Sequence, residues 1–211
     1  DIFDMLDDDF PKGKKYGNFA GVDLGIGTEP ETIRTKARRR LFYDLKEVKN
    51  AEKHLGPLPE PGETVHIIMP GNFAAFDLVL AVTNKFPGVV DRLTISTLGF
   101  NKHNFTHLTR LVDDGRIGKV AILASEYFRE TDKPTTELAL AESRENPRFR
   151  IAFTRNHTKI QIFEGAGICI VSESSANLRS CNCVEQATVT QSQELGDFHR
   201  GWIEEVISRH E

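Results

Sequence analysis

The chain reads as an α/β protein: a mixed β-sheet flanked by helices on both faces, with an N-terminal arm and helix. Three observations predict this. From Thr64 onward, short apolar runs alternate with segments of helical period, the pattern that feeds a parallel sheet. After Phe149 strand follows strand, which mixes the sheet. The 211 residues, 39% hydrophobic and 27% charged, suffice for one sizeable globular core with an appendage.

The elements follow in order. Asp1 to Glu29 reads as an arm, because Asp7, Asp8 and Asp9 stand in a row, Lys12, Lys14 and Lys15 follow, and no period holds. A helix is predicted from near Pro30, with Thr28 as its cap and Glu29 and Glu31 at its start. Ile33, Ala37, Leu41, Leu45 and Val48 carry it at helical spacing to about Leu55. Gly56-Pro57 ends it, and Pro57 to Glu63 is a stiff linker. Residues 1–60 are thus arm, helix and linker, and 61–211 the main domain. Strands over Val65–Met69, Arg92–Leu98 and Lys119–Ser125 alternate with helices over Phe73–Phe86, Asn101–Asp114 and Thr136–Glu145. Strands over Phe149–Thr154, Thr158–Phe163, Gly167–Ser172 and Val184–Thr190 come next. A closing helix from Leu195 to Ser208 is expected to pack through Phe198, Trp202, Ile203 and Val206.

Composition narrows the function. A net charge of −4 argues against a surface that grips nucleic acid throughout, while leaving room for a local basic groove. No apolar run approaches the ~20 residues that span a bilayer. Three cysteines, Cys169, Cys181 and Cys183, fit a reducing, cytoplasmic compartment better than a disulfide framework. No second Cys or His pair joins Cys181 and Cys183 at zinc-site spacing. Asn104-Phe-Thr106 and Asn156-His-Thr158 match a glycosylation pattern that a cytoplasmic protein does not use. Arg38, Arg39 and Arg40 read as a solvated helix face or a phosphate contact. Lys102, His103 and His107 read as a wet helix start or part of a ligand loop.

The chemistry concentrates between Asn156 and Gln186. His157 and Lys159 stand two apart in a predicted strand, so both point to one face. The corner Ser174-Ser175-Ala176-Asn177-Leu178 follows, and Glu185 comes eight residues after Asn177. An imidazole, an ammonium and an amide aimed at one spot suit a phosphate ester. His157 would be the nucleophile. A carboxylate, for which Glu185 is the candidate, would fix its tautomer. Lys159 and Asn177 would hold the phosphoryl oxygens, assisted by the Ser175 hydroxyl. The lysine carries the charge a metal would otherwise bring, so no metal or cofactor is expected. The competing readings are a core histidine, a plain Ser/Asn turn, and a Glu185 that merely pairs with Arg179 or Lys159.

Taken together these residues resemble the signature of the phospholipase D superfamily: His-x-Lys, an acid, Gly-Ser-x-Asn, and a Glu further on. Here they stand as His157-Thr158-Lys159, Glu164, Ser174-Ser175-Ala176-Asn177 and Glu185. The stretches TISTLGFNKHN, KVAILASEYF, SSANLRS and DFHRGWIEEV look like bacterial and phage-associated phospholipase D-like proteins, and the likeness covers roughly Thr64 to Ile207. Glu164 replaces the usual Asp and Ser174 the usual Gly, and the 20-residue interval from His157 to Asn177 is about three residues longer than the family's pattern, to be absorbed by a bulge or a longer hairpin. The resemblance implies a metal-independent phosphodiesterase working through a phosphohistidine, with DNA or RNA as candidate substrate. Glu164 and Ser174 would have supporting roles. A single motif supplies one histidine, which implies a homodimer with both His157 residues near the two-fold axis. His107 or His199 is the alternative second histidine. The altered motif equally suits a weak or inactive module that binds phosphate or nucleic acid in a larger assembly.

Overall fold

The computed structural model describes residues 33–34, 39–43, 48–70, 75–179 and 183–211. The predicted arm, the Thr28 cap and Cys181 lie outside the described residues. In chain order the elements are β1 (Ile33–Arg34), β2 (Arg39–Tyr43), α1 (Val48–Leu55), β3 (Thr64–Pro70), α2 (Ala75–Lys85), β4 (Val90–Ser96), α3 (Lys102–Asp113), β5 (Ile117–Ser125), α4 (Glu126–Thr131), α5 (Lys133–Glu145), β6 (Phe149–Thr154), β7 (Ile160–Gly165), β8 (Ile168–Ser174), β9 (Val184–Gln191) and α6 (Gln193–His210). The described strands form one sheet in the order β1-β2-β3-β9-β8-β7-β4-β5-β6.

Strand direction decides where chemistry can gather. β4, β5 and β6 run parallel, β7, β8 and β9 alternate, and β3 runs antiparallel to β9 but parallel to β2. The ends of β3, β4, β5, β6 and β8 therefore share one edge with the starts of β7 and β9. Loops at that edge of an open α/β sheet are where ligands bind.

Alternation along each strand divides the core in two. Ile95, Ile122, Phe153, Phe163, Ile170 and Val189 turn toward the layer of α1 to α5. Ala121, Leu123, Ala152, Ile162, Cys169 and Val171 turn toward α6 and its buried Ile203 and Ile207. The expected mixed sheet with helices on both faces is thus the observed architecture.

The predicted helix from Pro30 is shorter than its periodicity suggests. Arg39–Tyr43 forms β2, paired in parallel register with Thr64–Ile68, and among the described residues of that span only Val48–Leu55 is helical. Phe42 and Tyr43 suit a strand, and a five-residue ladder outweighs a weak helical period. The sheet and core thereby run across residue 60, since Ala51 and Leu55 of α1 are buried in the main core. A short α4, not anticipated, follows β5 directly because the Ser125 hydroxyl caps it by accepting from Phe128 N. Phe198 is no core anchor: it is 67% exposed, while Gly196, His199, Ile203 and Ile207 form the buried stripe of α6.

The β7–β8 hairpin absorbs the long spacing without a bulge. Its register runs unbroken from Ile160↔Glu173 to Gly165↔Ile168. The two loop residues, Ala166 and Gly167, have φ of 48° and 73°, the left-handed pair that a tight hairpin of this twist requires.

Candidate active site at the strand-end edge

His157 and Lys159 lie just before β7, not in it. The reason is the path of the chain. Leaving the edge strand β6, it must cross the ends of β5 and β4 before β7 can pair with β4 at Ser96↔Ile160. Asn156 fastens that crossing. Its Nδ2 donates to Ser96 Oγ (2.9 Å), Thr97 O (3.1 Å) and Leu123 O (3.0 Å). Its Oδ1 accepts from Thr158 N (3.0 Å) and Thr158 Oγ1 (2.8 Å), and Thr158 Oγ1 lies 2.6 Å from Ser96 Oγ. The residue is buried, and the loop beyond it is exposed. Sequence reasoning missed Asn156, Ser96 and Thr158 as parts of this site. The available signal was Asn-x-Thr, which is also the spacing of an Asx turn.

This anchor brings His157 and Lys159 into contact. Lys159 Nζ donates to His157 O at 2.8 Å and lies 2.9 Å from His157 Nδ1. Although His157 is exposed overall, the packing its ring does have, and then the charge of Lys159, hold its pKa below the ordinary histidine value. Burial likewise lowers the pKa of Lys159, and the charge of Glu185 works against that shift. The imidazole is therefore biased toward its neutral form at neutral pH.

The corner after β8 meets the start of β9. Ser174 N donates to Lys159 O (3.0 Å), which ties this corner to the lysine backbone, and Ser174 Oγ donates to Ala176 O (2.9 Å). Ser175 Oγ donates to a Glu185 carboxylate oxygen and accepts from Gln186 N at 3.0 Å. Glu185 thus holds Ser175, and it is not hydrogen-bonded to His157, whose Nδ1 faces the lysine ammonium. The register explains this: Glu185 pairs with Met69 on β3, two strands away from Lys159. Asn177 makes no hydrogen bond to His157 or Lys159. Its Oδ1 is buried without a partner among the described residues, and the next residue, Leu178, is bridged to Phe100 and held by Asn104 Nδ2 (2.8 Å). Arg179, the other suggested partner of Glu185, pairs with Asp132 at 3.3 Å and lies over the Phe128 ring.

Glu164 stands apart from this cluster. It sits at the far end of β7, about 17 Å along the strand from Lys159, where Arg92 Nε (2.8 Å) and Arg200 Nε (3.3 Å) meet its carboxylate. Its support goes to the packing of β4 and α6 on β7, not to the phosphate site. His199 is occupied as well: Nε2 lies 3.2 Å from Glu173 Oε1, and Nδ1 accepts from Trp202 Nε1 at 3.2 Å. His107 packs against Phe76 and His103, and burial, then the charges of His103 and Arg110, lower its pKa. Beneath the site, Gln161 and Ser172 are cross-strand partners, both 1% exposed, and neither side chain has a hydrogen bond among the described residues. No group of three or more His, Cys, Asp or Glu side chains suited to a metal ion occurs among the described residues. Nor is any described helix long and apolar enough to cross a membrane.

No family model and no curated protein matches the chain. Solved structures do. Polyphosphate kinase from Porphyromonas gingivalis is 15% identical, with a TM-score of 0.50 over 71% of this chain and 26% of its own. Phosphatidylserine synthase from Haemophilus influenzae is 11% identical, with a TM-score of 0.51 over 72% of this chain and 40% of its own. Both are folds of the phospholipase D superfamily. The fold is phospholipase D-like. TrmBL2, an archaeal chromatin protein, is also similar, at 12% identity and a TM-score of 0.47 over 69% of this chain and 53% of its own. The chain spans about half or less of the length of each of these structures.

Proposed function

We propose that the chain is a metal-independent phosphodiesterase of the phospholipase D type, acting on nucleic acid. The observation that carries this reading is the His157–Lys159 contact at the strand-end edge, with the imidazole biased toward neutrality. An incoming phosphate diester draws the Lys159 ammonium onto its non-bridging oxygens, and this frees Nδ1 of His157. The unprotonated ring nitrogen then attacks phosphorus, forming a phosphohistidine as the P–O bond to the leaving alcohol breaks. Asn177 and Ser175 assist by hydrogen-bonding the phosphoryl oxygens, and Glu185 steadies Ser175. The leaving oxygen takes its proton from a second histidine, and water then attacks the phosphohistidine to release the phosphomonoester and restore His157. Because His199 already has both ring nitrogens engaged and His107 packs against Phe76 and His103 on α3, the second histidine in this reading is His157 of another copy, in a homodimer built around a two-fold axis. A cytoplasmic setting belongs to the same proposal.

One observation favours a second reading. No carboxylate among the described residues orients His157, and in this second reading the pocket holds phosphate without turning it over, as a binding module of a larger assembly. Hydrolysis of single-stranded and duplex DNA and RNA, with and without a chelator, separates the two. The enzyme reading expects turnover that survives chelation, disappears in His157→Ala, and falls below the wild-type chains' share when His157→Ala chains are mixed into the dimer. Phosphate or nucleic acid bound without turnover, and released by Lys159→Ala, establishes the binding module instead.

A further inference from the structure

The opposite edge of the sheet, where β4, β5 and β6 begin, carries a cluster of cationic side chains. Arg92 and Lys119 are direct partners in the β4–β5 ladder. One step further on, Ala121 pairs with Arg150 of β6. Lys119 is in phase with Ala121, and Arg150 with Ala152, so these side chains belong to the α6 face. There a cavity of about 140 Å³ is lined by Arg92, Lys119, Arg148, Arg150 and Glu204.

Each arginine has a carboxylate. Arg92 Nε meets Glu164 at 2.8 Å, Arg148 Nη2 meets Asp113 at 3.0 Å, and Arg150 meets Glu204 at 2.5 Å and Glu211 at 2.8 Å. Lys119 has no hydrogen bond or ion pair among the described residues, although it stands between these arginines. Like charges directly opposite in a sheet repel. A local conflict of this kind, facing a concavity, is a mark of a binding site.

We propose that this cavity binds a phosphate group. Lys119 supplies an ammonium with no direct carboxylate partner among the described residues, and guanidinium N–H groups not used by the carboxylates supply oriented donors. The volume suits a tetrahedral oxyanion, which displaces roughly two to three waters at about 30 Å³ each. The site is separate from His157. Arg92 lies about 13 Å along β4 from Ser96, which neighbours the catalytic loop, and the cavity opens on the α6 side. The inference therefore stands or falls independently of the phosphodiesterase reading.

Calorimetric titration with inorganic phosphate at constant ionic strength tests it on wild type, Lys119→Gln, Lys159→Gln and the double variant. The expected result is a class of phosphate site that persists in Lys159→Gln, weakens about tenfold or more in Lys119→Gln, and is retained in Lys119→Arg. Wild-type binding in Lys119→Gln, or loss of all phosphate binding in Lys159→Gln, overturns the proposal. A short oligonucleotide as competitor identifies the source. Displacement that fades with salt assigns the site to a nucleic-acid backbone. Indifference assigns it to a free phosphomonoester.

Discussion

Replacing Asn156 with alanine should loosen the edge that carries His157 and Lys159. Five hydrogen bonds end on this amide. Their loss is not uniform. Leu123 O still accepts from Thr97 N at 3.0 Å, and Ser96 and Thr158 still have each other. Thr158 is exposed, so water can replace what it loses. Thr97 O is the group left stranded in the interior. One buried polar group without a partner costs about 1–3 kcal/mol, and the remaining bonds add about 1 kcal/mol. The sum, about 2–4 kcal/mol, corresponds to a fall in Tm of about 4–16 °C for a protein of this size. Thermal unfolding followed by circular dichroism measures it. A Tm within about 1 °C of wild type would refute the view that Asn156 anchors the loop. Asn156→Asp sharpens the test. A carboxylate there faces the Thr97 and Leu123 carbonyl oxygens and is buried, so its folded-state pKa rises above the unfolded value of about 3.9. Well below that value the acid is neutral in both states, and the deficit is smallest. As pH rises through the folded pKa the deficit grows, so it should be larger at about pH 8 than at about pH 5.

Three further outcomes follow from the geometry. The His157 imidazole should titrate below the ordinary histidine value in a proton NMR titration, and Lys159→Gln should move it upward by removing the repulsion of the lysine charge. Because the folded pKa is lowered, His157's contribution to stability is fully present above the unfolded value and is lost as pH falls through the folded one. A titration unchanged by Lys159→Gln would count against the contact. Gly196→Ala should be strongly destabilising, since a Cβ there would meet Cys169 Sγ at 2.1 Å where α6 crosses β8. Overpacking of this kind costs about 1–3 kcal/mol, and a denaturation midpoint equal to wild type would contradict the close approach. Gln161→Met should raise stability by about 1–2 kcal/mol, because it removes two buried polar atoms that lack partners among the described residues. A lower urea midpoint would show that the amide is satisfied after all.

Much of the fold could be read from the residues in order. From Thr64 on, apolar runs such as Val65–Met69 and Lys119–Ser125 carried their own periodicity, and Pro and Gly punctuated them. Misreadings arose where partners decided. Arg39–Tyr43 has a helical spacing of apolar residues, but it became a strand because β3 offered an unpaired edge. Phe198 looked like an anchor by residue type, but it lies off the stripe of Gly196, His199, Ile203 and Ile207 that meets the sheet. The resemblance that singled out His157, Lys159, Ser175, Asn177 and Glu185 rested on residue types in a characteristic order, and order alone does not fix which groups touch.

By itself the sequence determined the α/β alternation, the stops between elements and the cluster of phosphate-suited side chains between Asn156 and Gln186, because these depend on local period and residue chemistry. Only the tertiary structure decided that Asn156 fastens the loop, that Lys159 reaches His157, that Glu185 holds Ser175, that Glu164 belongs to the far edge, and that Lys119 stands among arginines. Those facts follow from strand order and register, which bring together groups far apart in the chain, such as Arg92 with Glu164, 72 residues apart, and Thr64 with Thr190, 126 residues apart. Pairings of that range are set by the free energy of the whole sheet, and no local stretch of chain encodes them.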